Sequence, residues 1–252
     1  MIGLVTELRA VVIDWGGVLT QPIGDTVRDW IAADQIDWDT YLAVVGPWLR
    51  EAYDTATVPG GVVLPTSAQP TAAQEAAQEA AQAAADWLAS TGVNPVHALE
   101  RGECTVAQFE QHLATRLVRT DGQPVRADGL LTRMLSASVP DPAMYQLIRD
   151  LRASGVRTAL LSNSWGADGY PREDFPGLFD AVVISGEVGM RKPEPRIFQH
   201  AADLLGVPSQ ECVFVDDLEA NVKAAVGCGM TGVHHTDPAV TQQRLTELFA
   251  DR

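Results

Sequence analysis

Lysine is nearly missing from this chain. Of 252 residues only Lys192 and Lys223 carry an ammonium side chain, and every other basic residue is arginine. Any chemistry that needs a lysine therefore has two candidates. Basic charge as a whole is scarce: 18 Lys+Arg stand against 33 Asp+Glu, a formal net charge of −15. Nucleic acids and anionic membranes both select a basic face, so neither is an expected partner. Cysteine is limited to Cys104, Cys212 and Cys228, whose scatter offers neither a disulfide framework nor zinc spacing. Buried small hydrophobes are the expectation for all three. No apolar run approaches the roughly 20 residues that cross a bilayer. The first ten residues, MIGLVTELRA, lack the charged start and long apolar centre of a signal peptide. A cytoplasmic protein is expected.

What the chain does have is a change of pattern. The run Ala10–Val11–Val12–Ile13 is continuous and apolar, which suits a strand buried on both faces of a parallel sheet. Residues 24 to 56 read as helices rich in tryptophan and tyrosine. Residues 57 to 70 carry Pro and Gly without helical spacing and read as a loop. From Thr71 the stretch TAAQEAAQEAAQAAADWL reads as an exposed helix with an alanine face, a flexible linker being the alternative. Thr105 can cap a helix whose apolar positions are Phe109, Leu113 and Leu117. From about Asp141 strands and helices alternate: a helix with Met144, Leu147, Ile148 and Leu151 inward, VRTALLS, AVVIS, a helix over 194–205, CVFVDD, a helix over 218–226, TGVHH and a last helix. Alternation of this kind implies an α/β fold, a Rossmann-like parallel sheet covered by helices on both faces. The helical stretch from 22 to 135 interrupts the series after its first strand. The expected organisation is a core of residues 1–21 and 136–252 with a helical cap, 22–135, inserted.

In such sheets ligands bind beyond the carboxyl ends of the strands. Asp14, Ser162 with Asn163, Lys192, and Asp216 with Asp217 all fall there. Carboxylates, a lysine and a hydroxyl at one edge suit a magnesium ion and a phosphate, because Mg²⁺ prefers oxygen ligands and lets an anionic nucleophile approach an anion. The four segments VVIDWGGVLT, LLSNS, RKPEPRIF and CVFVDDLEANVKAA resemble, in order, the four motifs of the haloacid dehalogenase superfamily. Within it the chain is most similar to the branch with a helical cap after the first motif, which includes small-molecule phosphatases and the amino-terminal phosphatase domain of soluble epoxide hydrolases. The resemblance implies a phosphatase of a small phosphate ester with Mg²⁺ as cofactor. Asp14 would be the nucleophile that forms an aspartyl-phosphate and would bind the metal together with the Gly16 carbonyl. Asp217 would be a direct metal ligand, with Asp216 direct or through water. Ser162 and Asn163 would hold phosphoryl oxygens, helped by the backbone N–H groups of Trp15 and Gly16, and Lys192 would balance the charge.

Gly16 departs from the family pattern. In most phosphatases of this superfamily the residue two after the nucleophile is a second Asp, which protonates the leaving alcohol and then activates water. Glycine can do neither, and general acid–base help is worth 10²–10⁴-fold. The reading divides accordingly into a slower phosphatase, one whose acid comes from elsewhere, a silent module that binds a phosphorylated ligand or a protein, and a haloacid dehalogenase, whose halide leaves unprotonated. The phosphonate-cleaving branch also lacks the second Asp but needs a cap lysine, and residues 22–135 contain none. The tryptophans at 30, 38, 48 and 87 are expected to pack cores. His234 and His235, adjacent on a strand, are expected to face opposite ways and not to form a metal pair.

Overall fold

The structure is a computed structural model that describes residues 7–53, 92–166 and 169–250. The alanine-rich stretch and Trp87 lie outside the described residues. In chain order the elements begin with β1 (Ala10–Ile13), α1 (Ile23–Ala33), α2 (Trp38–Tyr53), α3 (Pro95–Glu100), α4 (Val106–Ala114) and α5 (Leu130–Leu135). Then come α6 (Pro142–Ala153), β2 (Arg157–Ser162), α7 (Phe175–Leu178), β3 (Ala181–Ile184) and α8 (Ser185–Val188). The series ends with α9 (Pro195–Leu205), β4 (Cys212–Asp216), α10 (Glu219–Gly227), β5 (Thr231–His234) and α11 (Pro238–Leu248). The chain divides into two compact units, Met1–Gln21 with Val139–Arg252, and Pro22–Ser138.

The first unit is an α/β sandwich around one parallel sheet of order β3-β2-β1-β4-β5. β1 is buried along its whole length, and its residues alternate between two cores. Val11 and Ile13 face Met144, Ile148 and Leu151 of α6 and Leu245 of α11. Ala10 and Val12 face Ile197, Phe198 and Ala201 of α9 and Ala225 of α10. Complete burial of each Val or Ile contributes about 1.5–3 kcal/mol, which makes this central strand hard to shift in register. The helices start where their sequences say they should. Asp141 accepts hydrogen bonds from the N–H groups of Ala143 and Met144, with Pro142 in the first helical turn, and Asp237 does the same for Ala239 and Val240. Gly232 brings α10 down onto β5: a Cβ there would lie 2.6 Å from Val222 Cγ1.

Several boundaries differ from the sequence reading, two of them at the carboxyl ends of strands. β4 stops at Asp216, so Asp217 lies in the turn, and Ser185 opens α8 where the strand AVVIS was expected to end on it. The reason is visible at Ser185, whose buried hydroxyl accepts the Ser164 N–H at 2.8 Å and ties the ends of β2 and β3 together. Of the cysteines only Cys212 is buried; Cys104 and Cys228 are half-buried.

The second unit is helical in its described part. Trp48, Tyr41, Leu113, Leu130 and Met134 form its interior. Thr105 and Gln108 close a capping box at the start of α4, and that helix ends at Ala114, before the buried Leu117. The Glu110 carboxylate accepts from Gly129 and Leu131 N–H and so caps α5 from a neighbouring helix. Trp30 and Trp48 are buried as expected, whereas Trp38 is half-buried, stacks on Tyr41 and lines an open cavity of about 500 Å³. Among the described residues no helix is long and apolar enough to cross a membrane.

Candidate active site

Register places the acids. Ile13 pairs with Leu160 on one side and Val215 on the other, so Asp14 leaves the sheet level with Asp216 and one residue short of Ser162. The Asp14 N–H still bonds to the Val215 carbonyl at 2.9 Å, which holds the residue at the strand end. Ligand oxygens of Asp14, Asp216 and Asp217 lie within 4.8 Å of one another. Lys192, only 1% exposed, puts Nζ 2.7 Å from Asp14 Oδ1 and 2.7 Å from Asp216 Oδ2. Two of the three acids thus share one ammonium, and with all three ionised the cluster would be two negative charges from balance. The donors are all oxygen, the set that suits a hard divalent cation.

Burial, above all, pushes the Asp14 carboxyl up to about 7; Lys192 pulls the other way, and the charge of Asp216 adds to the rise. Asp217 is held well above the ordinary carboxylate range by burial and then by Asp216 and Asp14. For Lys192 burial opposes the charge, but Asp14 and Asp216 outweigh it and the pKa is raised, so the ammonium is permanent.

Each side chain has a distinct set of partners. Asp14 Oδ1 takes both Lys192 and the N–H of Trp15, the latter at 2.7 Å; Oδ2 has no further partner among the described residues. Asp216 is saturated by the protein: besides Lys192 it accepts from Leu218 N–H at 2.8 Å and from Asn221 Nδ2 at 3.0 and 3.1 Å. Asn163 is turned onto the Lys192 backbone, accepting its N–H at 2.8 Å and donating to its carbonyl at 3.0 Å. That side chain positions the lysine. Ser162 Oγ lies 2.8 Å from the hydroxyl of Tyr170, whose ring packs edge-on against Trp15. In the turn after Asp14 the positive φ belongs to Gly17, at 73°, and not to Gly16. A Cβ at Gly17 would also collide with the Asp217 carboxyl, reaching Cγ at 2.9 Å, so glycine there is what lets the two motifs touch. His234 and His235 do diverge: one reaches the Asp217 carbonyl at 2.9 Å, the other Thr241 Oγ1 at 2.8 Å.

Asn221 and Tyr170 were not singled out in the sequence. Asn221 could have been found one helical turn past the acids, at Asp216 plus five. No local signal marks Tyr170.

Comparison with known proteins decides the family. The family described as haloacid dehalogenase-like hydrolase matches residues 8–229. The chain belongs to it. Curated relatives within reach of this hydrolase family include a sesquiterpene phosphatase of Aspergillus oryzae, 34% identical over 112 residues, which cover 43% of this chain and 57% of that protein. Mouse bifunctional epoxide hydrolase 2 is 34% identical over 118 residues, 43% of this chain and 21% of its own length. Mouse N-acylneuraminate-9-phosphatase is 47% identical over 53 residues, 21% of each chain. The haloacid dehalogenase-like chain thus spans little more than half of the first of these and about a fifth of the others. Its fold matches a family enzyme of Bacteroides thetaiotaomicron solved with magnesium and inorganic phosphate, at TM-score 0.53 and 19% identity over 91% of this chain and 94% of that one. It also matches a dehalogenase solved as an intermediate complex, at TM-score 0.56 and 19% identity over 99% and 100%.

Proposed function

We propose that the protein is a Mg²⁺-dependent phosphomonoesterase that acts on a small phosphorylated metabolite through an aspartyl-phosphate on Asp14. The carrying observation is the Asp14 carboxylate: one oxygen is anchored by Lys192 while the other stays open beside Asp216 and Asp217. The relatives that are phosphatases support the same reading.

Mg²⁺ would be held by Asp14, Asp217 and the Gly16 carbonyl, and would supply the positive charge that lets a carboxylate approach a phosphate dianion. Asp216, already saturated, would serve it through water and through its hold on Lys192. Ser162, the backbone of Asn163 and Lys192 would bind the phosphoryl oxygens. Asp14 Oδ2 would attack phosphorus as the ester oxygen leaves with its electron pair. Water would then attack the phosphorus of the aspartyl-phosphate, releasing inorganic phosphate and restoring the carboxylate. With glycine at position 16 no side chain there can protonate the leaving alkoxide, which would take its proton from water.

Gly16 favours one second reading. A dehalogenase needs no leaving-group acid, since halide departs unprotonated, although such an enzyme has no use for three clustered carboxylates.

The test is phosphate release from a broad panel of phosphate monoesters, with Mg²⁺ and with EDTA, for the wild type and Asp14→Asn. Hydrolysis that needs Mg²⁺ and disappears in a folded Asp14→Asn variant is expected. Equal rates for the two proteins remove the aspartyl-phosphate. Halide release from 2-chloropropionate at full rate in EDTA establishes the dehalogenase, and phosphate-ester binding without turnover establishes a ligand-binding module.

A further inference from the structure

We infer that Tyr170 is a positioning residue of the site: its hydroxyl donates to Ser162 Oγ and thereby commits the serine proton to a phosphoryl oxygen. The inference rests on the phosphatase reading.

A serine hydroxyl has one proton and two acceptor lone pairs. Alone at a strand end it rotates, and it spends its proton on whichever acceptor is nearest. Ser162 is 3% exposed at the carboxyl end of β2, next to the strand that carries Asp14, and among the described residues its side chain pairs with the Tyr170 hydroxyl at 2.8 Å. Either oxygen of that pair is able to donate. Two facts set the direction once an anion arrives. A phosphoryl oxygen is an acceptor only, so the serine proton has to point at it. Phenol is also the stronger acid of the two hydroxyls and the better donor. The chain then runs Tyr170 O–H to Ser162 Oγ, and Ser162 O–H to the phosphoryl oxygen.

The tyrosine is held for such a role. Its ring meets Trp15 at 5.5 Å and Phe175 at 6.2 Å between centroids, both edge-on, and Trp15 itself packs on Tyr145 and Phe175. Trp15 is the residue after the nucleophile, so one aromatic cluster fixes both the Tyr170 ring and the backbone that carries Asp14. Burial raises the Tyr170 hydroxyl to about 12 despite its bond to Ser162, and the charges of Asp14 and Lys192 both reach it. The group is therefore protonated throughout the neutral range and remains a donor.

Tyr170→Phe removes the hydroxyl and keeps the ring in its cluster. It is compared with Ser162→Ala and with the double variant in a Mg²⁺-supplemented phosphatase assay, with inorganic phosphate as competitive inhibitor. Tyr170→Phe is expected to raise both KM and the phosphate inhibition constant several-fold, the size of a lost neutral hydrogen bond that orients the serine, with kcat changed much less. In the Ser162→Ala background the same substitution is expected to have no further effect, because the group it orients is gone. A tyrosine that matters only for packing would lower the thermal midpoint and leave the inhibition constant alone; that result overturns the inference, as does an equal effect of Tyr170→Phe in both backgrounds. A wild type without Mg²⁺-dependent hydrolysis and without phosphate binding overturns the phosphatase reading and this inference together. An active wild type indifferent to Tyr170→Phe overturns this inference alone.

Discussion

Gly16 and Gly17 sit side by side and do different things. Gly17 has the left-handed backbone and the close approach to Asp217, so it is conformationally fixed as glycine. Gly16 has no positive φ, and an aspartate there meets no backbone penalty of that kind. Gly16→Asp is therefore expected to fold and to raise turnover on alkyl phosphates, up to the 10²–10⁴-fold that a general acid supplies, with a smaller gain on p-nitrophenyl phosphate. Steady-state rates on the two esters, with a melting curve for each protein, check this. Unchanged selectivity between them would mean that the leaving group's proton already comes from elsewhere. Asp14, Lys192, Asp216 and Asp217 could be read from the sequence because each follows an apolar strand or stands out by rarity, and the structure does bring them together. Asn163 shows where such reading ends. It was expected to hold a phosphoryl oxygen, and its side-chain amide bonds to the peptide of Lys192, 29 residues away, a partner that only the folded loop supplies.

Strands and helices of the α/β unit were legible because burial on both faces leaves unbroken apolar runs, and in the helical unit Thr105 announced the start of α4. Ends were less legible. Ser185 and Asp217 have ordinary strand-end identities, and what removes them from the ladder is a hydrogen bond in one case and a turn in the other. In the helical unit, α4 carries a titratable group whose state depends on the fold. His112 stacks on Trp48 and lies 3.1 Å from Arg116. Burial first and then Arg116 push its pKa from 6.5 down to about 4. The unfolded chain therefore binds a proton that the native chain refuses between pH 6.5 and 4, and stability falls as pH drops through that window, reaching its floor near the lower value. Denaturant midpoints across the window should decline less in His112→Gln than in the wild type, each referred to its own value at neutral pH. Parallel declines would mean that His112 titrates normally.

Over the molecule as a whole, the acidic cluster ties ligand binding to folding. Three acids held at one sheet edge with a single ammonium resist full ionisation, which a divalent cation would relieve, and only the native chain assembles them. Mg²⁺ at about 100 times its dissociation constant is expected to add about 2.7 kcal/mol of stability. Thermal midpoints in Mg²⁺ and in EDTA measure this, and Asp217→Asn should lose most of the shift. An identical midpoint in both buffers would show that the cluster takes no Mg²⁺. The scarcity of lysine acquires a practical meaning from the same cluster. Lys223 is 71% exposed, whereas the Lys192 side chain is 1% exposed and its charge is locked between two acids. An acylating reagent attacks only neutral, reachable amines, so Lys223 is the one lysine it should find in the native chain. Acylation of Lys192 can then proceed only while the strand edge is open, and the rate at which that second tag appears, read by peptide mass, becomes a stopwatch for how often the site comes apart.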